Sequence, residues 1–314
     1  ARGLKFKMFT IKEFILHILC ISILCEACYG QACNDDDDDS SPVVVTKNGK
    51  IFGKYVQVMD KNVSAFLGIP FAKPPVGDLR FKVSEPIESW NGTIIAKEKT
   101  PGCMQYSTRE VGWVPPPTFN VSEDCLYLNV WLPPNCCCNS SFKLPVMAWI
   151  HGGGLYSGSA MLDMYDGGVM ATLGEVIVVT FNYRLSVFGF LSLDSKDAPG
   201  NQGLHDQLLA LKWIHEYISY FGGDPDSVTL FGESAGSLSV SLQMISPLSK
   251  NLFHRAIMES GSAAQPTKVF DPEEALDTAI KFSELVGCSI SDSDENAIKR
   301  DIINCLKNKS ADEL

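Results

Sequence analysis

One serine of the chain lies between two glycines at a spacing that suits nucleophilic chemistry. Residues 232–236 read Gly-Glu-Ser-Ala-Gly, the G-x-S-x-G pattern, with Ser234 at the centre. The pattern directly follows the apolar run V-T-L-F and directly precedes a helical run, which is the strand–turn–helix context of a nucleophile elbow. Glycines leave room on both sides of so tight a turn, and the N-terminus of the following helix favours negative charge near the serine oxygen. The sequence therefore predicts Ser234 as the nucleophile of an acyl transfer.

A second glycine-rich element, His-Gly-Gly-Gly at residues 151–154, follows the apolar run P-V-M-A-W-I. Glycines let backbone N–H groups approach a reacting carbonyl closely, and with the N–H of Ala235 they would form an oxyanion hole. Each such donor is worth about 3–4 kcal/mol in comparable enzymes. A flexible glycine loop and an unrelated surface serine are the alternative for either motif alone. Two motifs in this order, each after a buried strand, favour the catalytic interpretation.

Strands and helices alternate through the part of the chain that carries both motifs. Apolar or β-branched runs predict strands, and apolar residues spaced by three and four predict amphipathic helices. This alternation indicates an α/β fold with a mostly parallel central sheet flanked by helices, and earlier runs predict a small N-terminal antiparallel sheet. The predicted strands are residues 51–58, 127–133, 145–150, 175–181, 227–231 and 255–258, and the predicted helices are 204–220, 235–245, 271–285 and 294–306.

The N-terminal region precedes the folded domain. A basic stretch comes before the eleven mostly apolar residues 14–24, and small or polar residues follow around Gly30. This is the layout of a signal peptide, and eleven residues are too few to span a bilayer. Residues 1–30 are therefore predicted to be leader and signal peptide, and residues 31–41, with a run of aspartates, an acidic disordered segment. Residues 42–314 are predicted to be one domain that is incomplete.

The net charge and the cysteine content of the chain restrict its possible binding partners and its cellular compartment. The formal net charge is −11 with no basic stripe, which argues against a nucleic-acid partner. Eleven cysteines and five Asn-x-Ser/Thr sequons indicate a secreted or luminal protein in an oxidising compartment. Residues 136–138 are consecutive cysteines without a zinc-type CxxC pair, so we expect no metal site, and neither they nor Cys33 receive a predicted partner. The sequons are Asn62, Asn91, Asn120, Asn139 and Asn308.

Seven segments between Gly68 and the end of the chain share one family pattern. They read GIPFAKPPVGDLRF (68–81), SEDCLYLNVW (122–131), WIHGGG (149–154), PGNQGLHDQ (199–207), FGGDP (221–225), FGESAG (231–236) and ESGS (259–262). In this order they resemble the type-B carboxylesterases and cholinesterases. The resemblance implies an α/β-hydrolase fold and hydrolysis of small-molecule carboxylic esters through an acyl-serine intermediate without a cofactor. It leaves open a membrane anchor and the oligomeric state, a homo-oligomer included.

The resemblance also implies roles for individual residues. Ser234 becomes the acylated residue, the N–H groups of Gly153, Gly154 and Ala235 become the oxyanion donors, and Glu233 gives electrostatic support beside the nucleophile.

Two loop disulfides and two internal salt bridges follow from the same resemblance. Each disulfide is worth about 3 kcal/mol by chain entropy. For the salt bridges the alternative is ordinary surface charge, which contributes little. The disulfides are Cys103–Cys125, over the active-site entrance, and Cys288–Cys305, and the salt bridges are Arg80 with Glu123 and Arg184 with Asp206.

Positions that would recognise choline depart from the cholinesterase pattern. The tryptophan ahead of S-E-D-C is Trp113, which is displaced by two extra residues and fits a loop or core position equally well. The acidic residue of the gorge rim falls on Thr108, and the acyl-pocket tryptophan falls on Thr267. The sequence therefore favours a general carboxylesterase with a roomier acyl pocket. An acetylcholinesterase-like hydrolase is the alternative among enzymes.

A serine nucleophile needs a base, and in this fold the chain order is Ser, then Asp or Glu, then His. Of five histidines only His254 follows Ser234, and residues 235–253 contain no acid. We therefore expect His254 to be structural and the triad acid and histidine to lie beyond Leu314, so that the truncated chain alone is inactive. A non-catalytic cholinesterase-like adhesion ectodomain is the alternative from another class, although such a module needs neither an intact serine nor a glycine loop.

Overall fold

The fold is described from a computed structural model of the chain. The described residues are 41–90, 92–106, 115–116, 118–134, 136, 143–264, 269–290 and 294–314. Predictions that fall outside them are those for residues 1–40 and for Asn91, Thr108, Trp113, Cys137, Cys138, Asn139 and Thr267.

A seven-stranded mixed sheet forms the centre of the fold. Four neighbouring strands pair in parallel, and the other three are antiparallel. One of the parallel strands, I-V-V-T-F, is buried at every residue, as expected for a strand covered on both faces. In order across the sheet the strands are β14 (Arg255–Glu259), β13 (Gly223–Glu233), β9 (Leu144–Ile150), β10 (Ile177–Phe181), β8 (Tyr127–Leu132), β4 (Lys61–Pro70) and β3 (Lys54–Val58).

The described part of the chain also contains three smaller sheets. The N-terminal sheet has three strands, of which β1 and β2 pair antiparallel while β2 and β5 pair parallel. The other two sheets have two strands each. The strands are β1 (Val43–Thr46), β2 (Gly49–Phe52) and β5 (Thr93–Ile95) in the first sheet, β6 (Gly102–Cys103) with β7 (Val121–Ser122) in the second, and β11 (Ser192–Ser195) with β12 (Ala198–Pro199) in the third.

Six α-helices are described: some pack against the central sheet, and the last two are the C-terminal elements of the chain. The last two begin at aspartates whose side chains accept backbone N–H groups of the first turn, at Asp271 and Asp294, where the helical patterns predicted their starts. No helix in the described ranges is long and apolar enough to cross a membrane. The α-helices are α1 (Gly168–Gly174), α2 (Ser186–Phe190), α3 (Gln202–Tyr217), α4 (Ala235–Ile245), α5 (Pro272–Leu285) and α6 (Glu295–Asn308).

The structure refines two of the sequence predictions. The mostly parallel sheet holds for the four strands from β14 to β10, but the sheet as a whole is mixed. Residues 51–58 form two strands in different sheets, because the extended strand is interrupted at Gly53. A Cβ atom on Gly53 would lie 2.5 Å from the carbonyl oxygen of Ala65, so a side chain has no room there.

Two of the three buried apolar clusters in the described part of the chain join the layers around the serine. The larger one lies on the central sheet and contains fully buried aromatic side chains such as Phe66, Tyr183 and Phe221. The second lies beneath α5 and α6, where Ile302 and Leu306 pack with the aromatic rings of α2 and its surroundings. Burial of this surface is what attaches the two C-terminal helices to the part of the fold that carries the serine.

Candidate active site

Ser234 lies at the sharp turn between β13 and α4. Its backbone has φ +56° and ψ −118°, a conformation that residues other than glycine rarely adopt. The turn is held by a hydrogen bond of 2.8 Å from the N–H of Ser234 to the carbonyl oxygen of Glu259 on β14. The serine itself is exposed. A strained backbone that presents an exposed hydroxyl is the geometry that a nucleophile elbow requires.

The glycines on either side of Ser234 are needed because other backbone lies against them. A Cβ atom on Gly236 would lie 2.1 Å from the carbonyl oxygen of Ile150, and one on Gly232 would lie 2.7 Å from the same oxygen. Strand β9 ends at Ile150, which is paired in register with Gly232 on β13. Because parallel strands bring their carboxyl ends to one edge of a sheet, the segments that follow β9 and β13 meet there.

The segment after β9, residues 151–158, is called the glycine loop below, and it lies against the nucleophile. A Cβ atom on Gly152 would be 3.3 Å from Cβ of Ser234 and 2.8 Å from the carbonyl oxygen of Glu233. Gly153 and Gly154 have φ of +104° and +65°, so the loop turns in conformations that glycine favours. The glycine loop and Ser234 are therefore on the same side of the sheet. Convergence of the N–H groups of Gly153, Gly154 and Ala235 on one oxyanion stays a prediction.

His151 anchors the start of the glycine loop from inside the protein. Its ring is buried and stacks on Tyr183 with centroids 4.4 Å apart, while the Tyr183 hydroxyl donates to the His151 carbonyl oxygen at 2.9 Å. Nδ1 lies 2.9 Å from the carbonyl oxygen of Gly152. Burial lowers the pKa of His151 to about 4, so the imidazole is neutral at pH 7. These contacts give His151 a structural role, which agrees with its position at the start of the loop.

Glu233 lies beside both the serine and the glycine loop. Its side chain is half-buried, and a Cβ atom on Gly152 would lie 3.0 Å from its Oε2. The pKa of Tyr165 is raised mainly by burial and further by the charge of Glu233. The electrostatic support that the resemblance implies for Glu233 stays a prediction.

The histidines do not complete a triad in the described part of the chain. His205 and His215 lie on α3, and burial lowers the pKa of His205. His254 is bonded to Val228 in the middle of β13: its N–H donates to the Val228 carbonyl oxygen at 2.8 Å, and its Nδ1 accepts the Val228 N–H at 3.4 Å. No hydrogen bond joins Ser234 to any of the four histidines that the structure describes. The geometry therefore presents an exposed serine on a strained turn beside a glycine loop, and it places His254 on a different part of the sheet.

Both predicted disulfides are formed, so this part of the resemblance is confirmed. The Cα atoms are 4.9 Å apart in Cys103–Cys125 and 6.0 Å apart in Cys288–Cys305, within the usual range of roughly 4.4–6.8 Å. The first fixes the loop beside the glycine loop, and the second joins the end of α5 to α6. Among the described residues no group of His, Cys, Asp and Glu is arranged to hold a metal ion.

Both predicted salt bridges are formed as well, and they are internal rather than surface pairs. Arg184 donates to both carboxylate oxygens of Asp206 at 2.8 Å, and both side chains are almost fully buried. Arg80 binds Glu123 through Nε at 2.6 Å and through Nη2. Arg80 also donates to the carbonyl oxygen of Lys309 at 2.6 Å, which caps the C-terminal end of α6.

Two supporting residues next to the loop were missed by the sequence reasoning. Asn182 is buried, accepts from Ser159 Oγ and Ala160 N–H, and donates to the carbonyl oxygen of Cys125 at 3.0 Å. Tyr183, described above, holds His151. Both belong to the polar segment N-Y-R that directly follows strand β10, and polar residues at the carboxyl end of a buried parallel strand are a signal that could have found them.

An apolar cavity of about 620 Å³ adjoins the glycine loop at Gly154. Its walls come from α2, α3, α4 and α5, and Leu238 lies one helical turn beyond Ser234. The size falls within the range of roughly 300–1,000 Å³ typical of small-molecule sites. Apolar residues that line it include Val187, Phe190, Leu238, Leu242 and Phe270.

Comparison with known proteins assigns these elements to one group. A model of the carboxylesterase family matches residues 40–314. An acetylcholinesterase of Danio rerio is 44% identical over 98% of this chain and 47% of its own length. An acetylcholinesterase of Electrophorus electricus is 45% identical over 86% of this chain and 42% of its own length, and a cholinesterase of Mus musculus is 41% identical over 97% and 49%. The chain spans about half the length of the curated relatives it matches.

Proposed function

Because the chain belongs to the carboxylesterase family, we propose that it carries the nucleophile and the oxyanion loop of a secreted serine ester hydrolase. The observation that supports this most directly is the exposed Ser234 on a strained turn with Gly152 of the glycine loop packed against it. A purely structural domain gains nothing from that strain, which costs of order 1–3 kcal/mol.

The proposed reaction has two steps at Ser234. Oγ attacks the carbonyl carbon of the ester while a base takes the hydroxyl proton, and the N–H groups of Gly153, Gly154 and Ala235 stabilise the oxyanion. The C–O bond to the alcohol then breaks, the alcohol leaves with that proton, and acyl-Ser234 remains. Water attacks the acyl carbon in the second step, which releases the carboxylic acid and restores the serine. Glu233 supports the charge that develops on the base, and no metal or cofactor takes part.

The base and its acid are proposed to come from the part of the protein that corresponds to the unmatched half of the relatives. None of the four described histidines is hydrogen-bonded to Ser234. A serine without a base is a weak nucleophile at neutral pH, and an oxyanion hole alone leaves only about 10³–10⁴-fold acceleration over water. We therefore expect the 314 residues alone to form no acyl-enzyme.

A complete protein that contains this chain provides the test. A fluorophosphonate probe should label Ser234, as read by peptide mapping, and Ser234→Ala should abolish both labelling and release of p-nitrophenol from p-nitrophenyl acetate. Ser227→Ala is the matched control, because Ser227 lies on β13 seven positions before Ser234, away from the turn, and should keep full activity. A wild-type protein that binds no probe and cleaves no ester would favour the adhesion ectodomain instead.

The substrate is proposed to be a small carboxylic ester with an acyl group larger than acetyl. The cavity of about 620 Å³ beside Gly154 supports this, because its apolar walls would accept an alkyl or aryl group. The second candidate, an acetylcholinesterase-like hydrolase, is favoured by relatives that carry that name at 44–45% identity. Comparing kcat/KM for acetylcholine with that for p-nitrophenyl butyrate separates the two.

Secretion is proposed from the oxidised cysteines and the sequons. Two disulfides are formed, and Asn62, Asn120 and Asn308 are exposed as glycosylation requires. Protein collected from the medium of expressing cells should lose apparent mass on treatment with peptide-N-glycosidase. Recovery of only unmodified protein from the cytosol would contradict this.

A further inference from the structure

The side chain of Gln105 joins the Cys103–Cys125 loop to the glycine loop. Its Oε1 accepts the backbone N–H of Gly158 at 2.8 Å, and its Nε2 donates to the carbonyl oxygen of Gly158 at 2.8 Å and to that of Cys103 at 3.1 Å. The carbonyl oxygen and the amino group of the amide are thus both engaged. A paired contact of this kind fixes both the position and the orientation of Gly158 on the disulfide-closed loop.

Gly158 in turn packs against the start of the glycine loop, at His151 and Gly152. Its φ is +102°, and a Cβ atom there would lie 2.6 Å from both the carbonyl oxygen of Gly152 and Nδ1 of His151. Gly152 is the residue whose own Cβ would lie 3.3 Å from Cβ of Ser234. Gln105, Gly158, Gly152 and Ser234 are therefore in successive close contact. Interiors packed this closely transmit small displacements.

The middle of the glycine loop is fixed by the residue before Gly158. The carbonyl oxygen of Gly153 accepts the N–H of Ser157 at 2.9 Å, the hydroxyl of Ser157 at 3.1 Å and the N–H of Tyr156 at 3.1 Å. This carbonyl shares one rigid peptide plane with the N–H of Gly154. Whatever holds Ser157 and Gly158 in place therefore sets the direction of the Gly154 N–H.

We propose that Gln105 is a positioning residue for the oxyanion donors. It touches neither Ser234 nor the reacting atoms, but it holds Gly158, and through Ser157 the peptide that carries the Gly154 N–H. The inference rests on the proposed function, since it concerns donors to the oxyanion of that reaction. It also makes the Cys103–Cys125 loop part of the catalytic support, because Gln105 is fastened to Cys103.

The test uses Gln105→Leu in the complete protein, which keeps the bulk of the side chain and removes all three hydrogen bonds. Active sites are titrated with a fluorophosphonate so that kcat refers to folded, reactive protein only. We expect kcat for p-nitrophenyl acetate to fall by roughly 10–100-fold while KM changes little, because a shift of about 1 Å in a catalytic group costs up to 100-fold. Affinity for a trifluoromethyl ketone, whose adduct carries the oxyanion, should fall by a similar factor.

The matched control is Gln57→Leu. Gln57 is an exposed glutamine that also donates to a backbone carbonyl, that of Met59 at 3.3 Å, but it lies on β3 away from the site. It should leave kcat and ketone affinity unchanged.

Three further outcomes of the Gln105→Leu experiment bear on the proposal. A lower melting temperature with unchanged kcat per titrated site and unchanged ketone affinity would make Gln105 merely structural and overturn the proposal. If Gln105→Leu does not fold, Gln105→Asn replaces it, because its amide is one methylene too short for the paired contact and the same loss in kcat is expected. A wild-type protein that is not acylated would remove the proposed function, and this inference with it.

Discussion

The backbone N–H of His254 donates a hydrogen bond of 2.8 Å to the carbonyl oxygen of Val228. Val228 precedes Ser234 by six positions on an extended strand, which rises about 3.3 Å per residue and therefore separates the two by roughly 20 Å. Strand β14 begins next to His254, so this histidine belongs to the edge of the sheet where β13 and β14 start their pairing, whereas the serine lies at the edge where they end it.

His254→Ala in the complete protein should therefore leave acylation of Ser234 unchanged. A hydrogen-bonded base must lie within about 3.2 Å of the serine oxygen, and His254 is far beyond that reach. The rate of labelling by a fluorophosphonate and the burst of p-nitrophenol from p-nitrophenyl acetate measure this. Loss of the burst in the folded variant would mean that His254 is the base.

Gly152→Ala should lower kcat by roughly 100-fold with a smaller effect on KM, because the added methyl must push the glycine loop away from Ser234. The methyl would meet the carbonyl oxygen of Glu233 at 2.8 Å and Cβ of Ser234 at 3.3 Å. Gly174→Ala is the control, since the nearest atom to its methyl is a side-chain carbon of Val176 at 3.4 Å. Equal activity of both variants would mean that the loop is not part of the site.

Acid should destabilise the protein partly through His151. Burial lowers its pKa to about 4 in the folded state from an ordinary value of 6.5, so between these values the unfolded chain binds a proton that the folded chain does not. The free energy of unfolding should fall as the pH drops through this window, by up to about 3 kcal/mol in total from this group.

Urea unfolding of the complete protein at several pH values between 7.5 and 4.5 measures that dependence. His151→Phe keeps a ring on Tyr183 and should flatten the dependence, whereas His215→Phe, at an exposed position on α3, should leave it as in the wild type. Identical curves for wild type and His151→Phe would show that His151 is not held neutral.

Asp206→Asn should destabilise the complete protein by about 3–5 kcal/mol, because it leaves the buried guanidinium of Arg184 without a counter-charge. The double variant Arg184→Met with Asp206→Leu should recover part of that loss, since it removes both charges. Asp277→Asn, which breaks an exposed pair with Lys281 on α5, should have no measurable effect. Chemical unfolding measures all three, and equal effects of Asp206→Asn and Asp277→Asn would contradict the buried role.

The sequence by itself determined the elements whose signals are local. The glycines around Ser234, the β-branched run before it and the helical run after it predicted the elbow, because each conformation depends on neighbours in the chain. The spacing of apolar residues predicted α5 and α6 from residues 271 and 294, where capping aspartates lie. The family pattern added the two disulfides and the two internal salt bridges, all of which the structure contains.

Only the tertiary structure decided what meets across the sheet. The pairing of Ile150 with Gly232, which are 82 positions apart in the chain, brings the glycine loop beside Ser234, and register of this kind depends on long-range packing. The break at Gly53 has the same origin, since the obstacle is the backbone of Ala65 on another strand. The two hydrogen bonds between the Gln105 amide and Gly158 could not be predicted from the spacing of residues in the sequence, because two loops without periodic signals meet only once the sheet has folded.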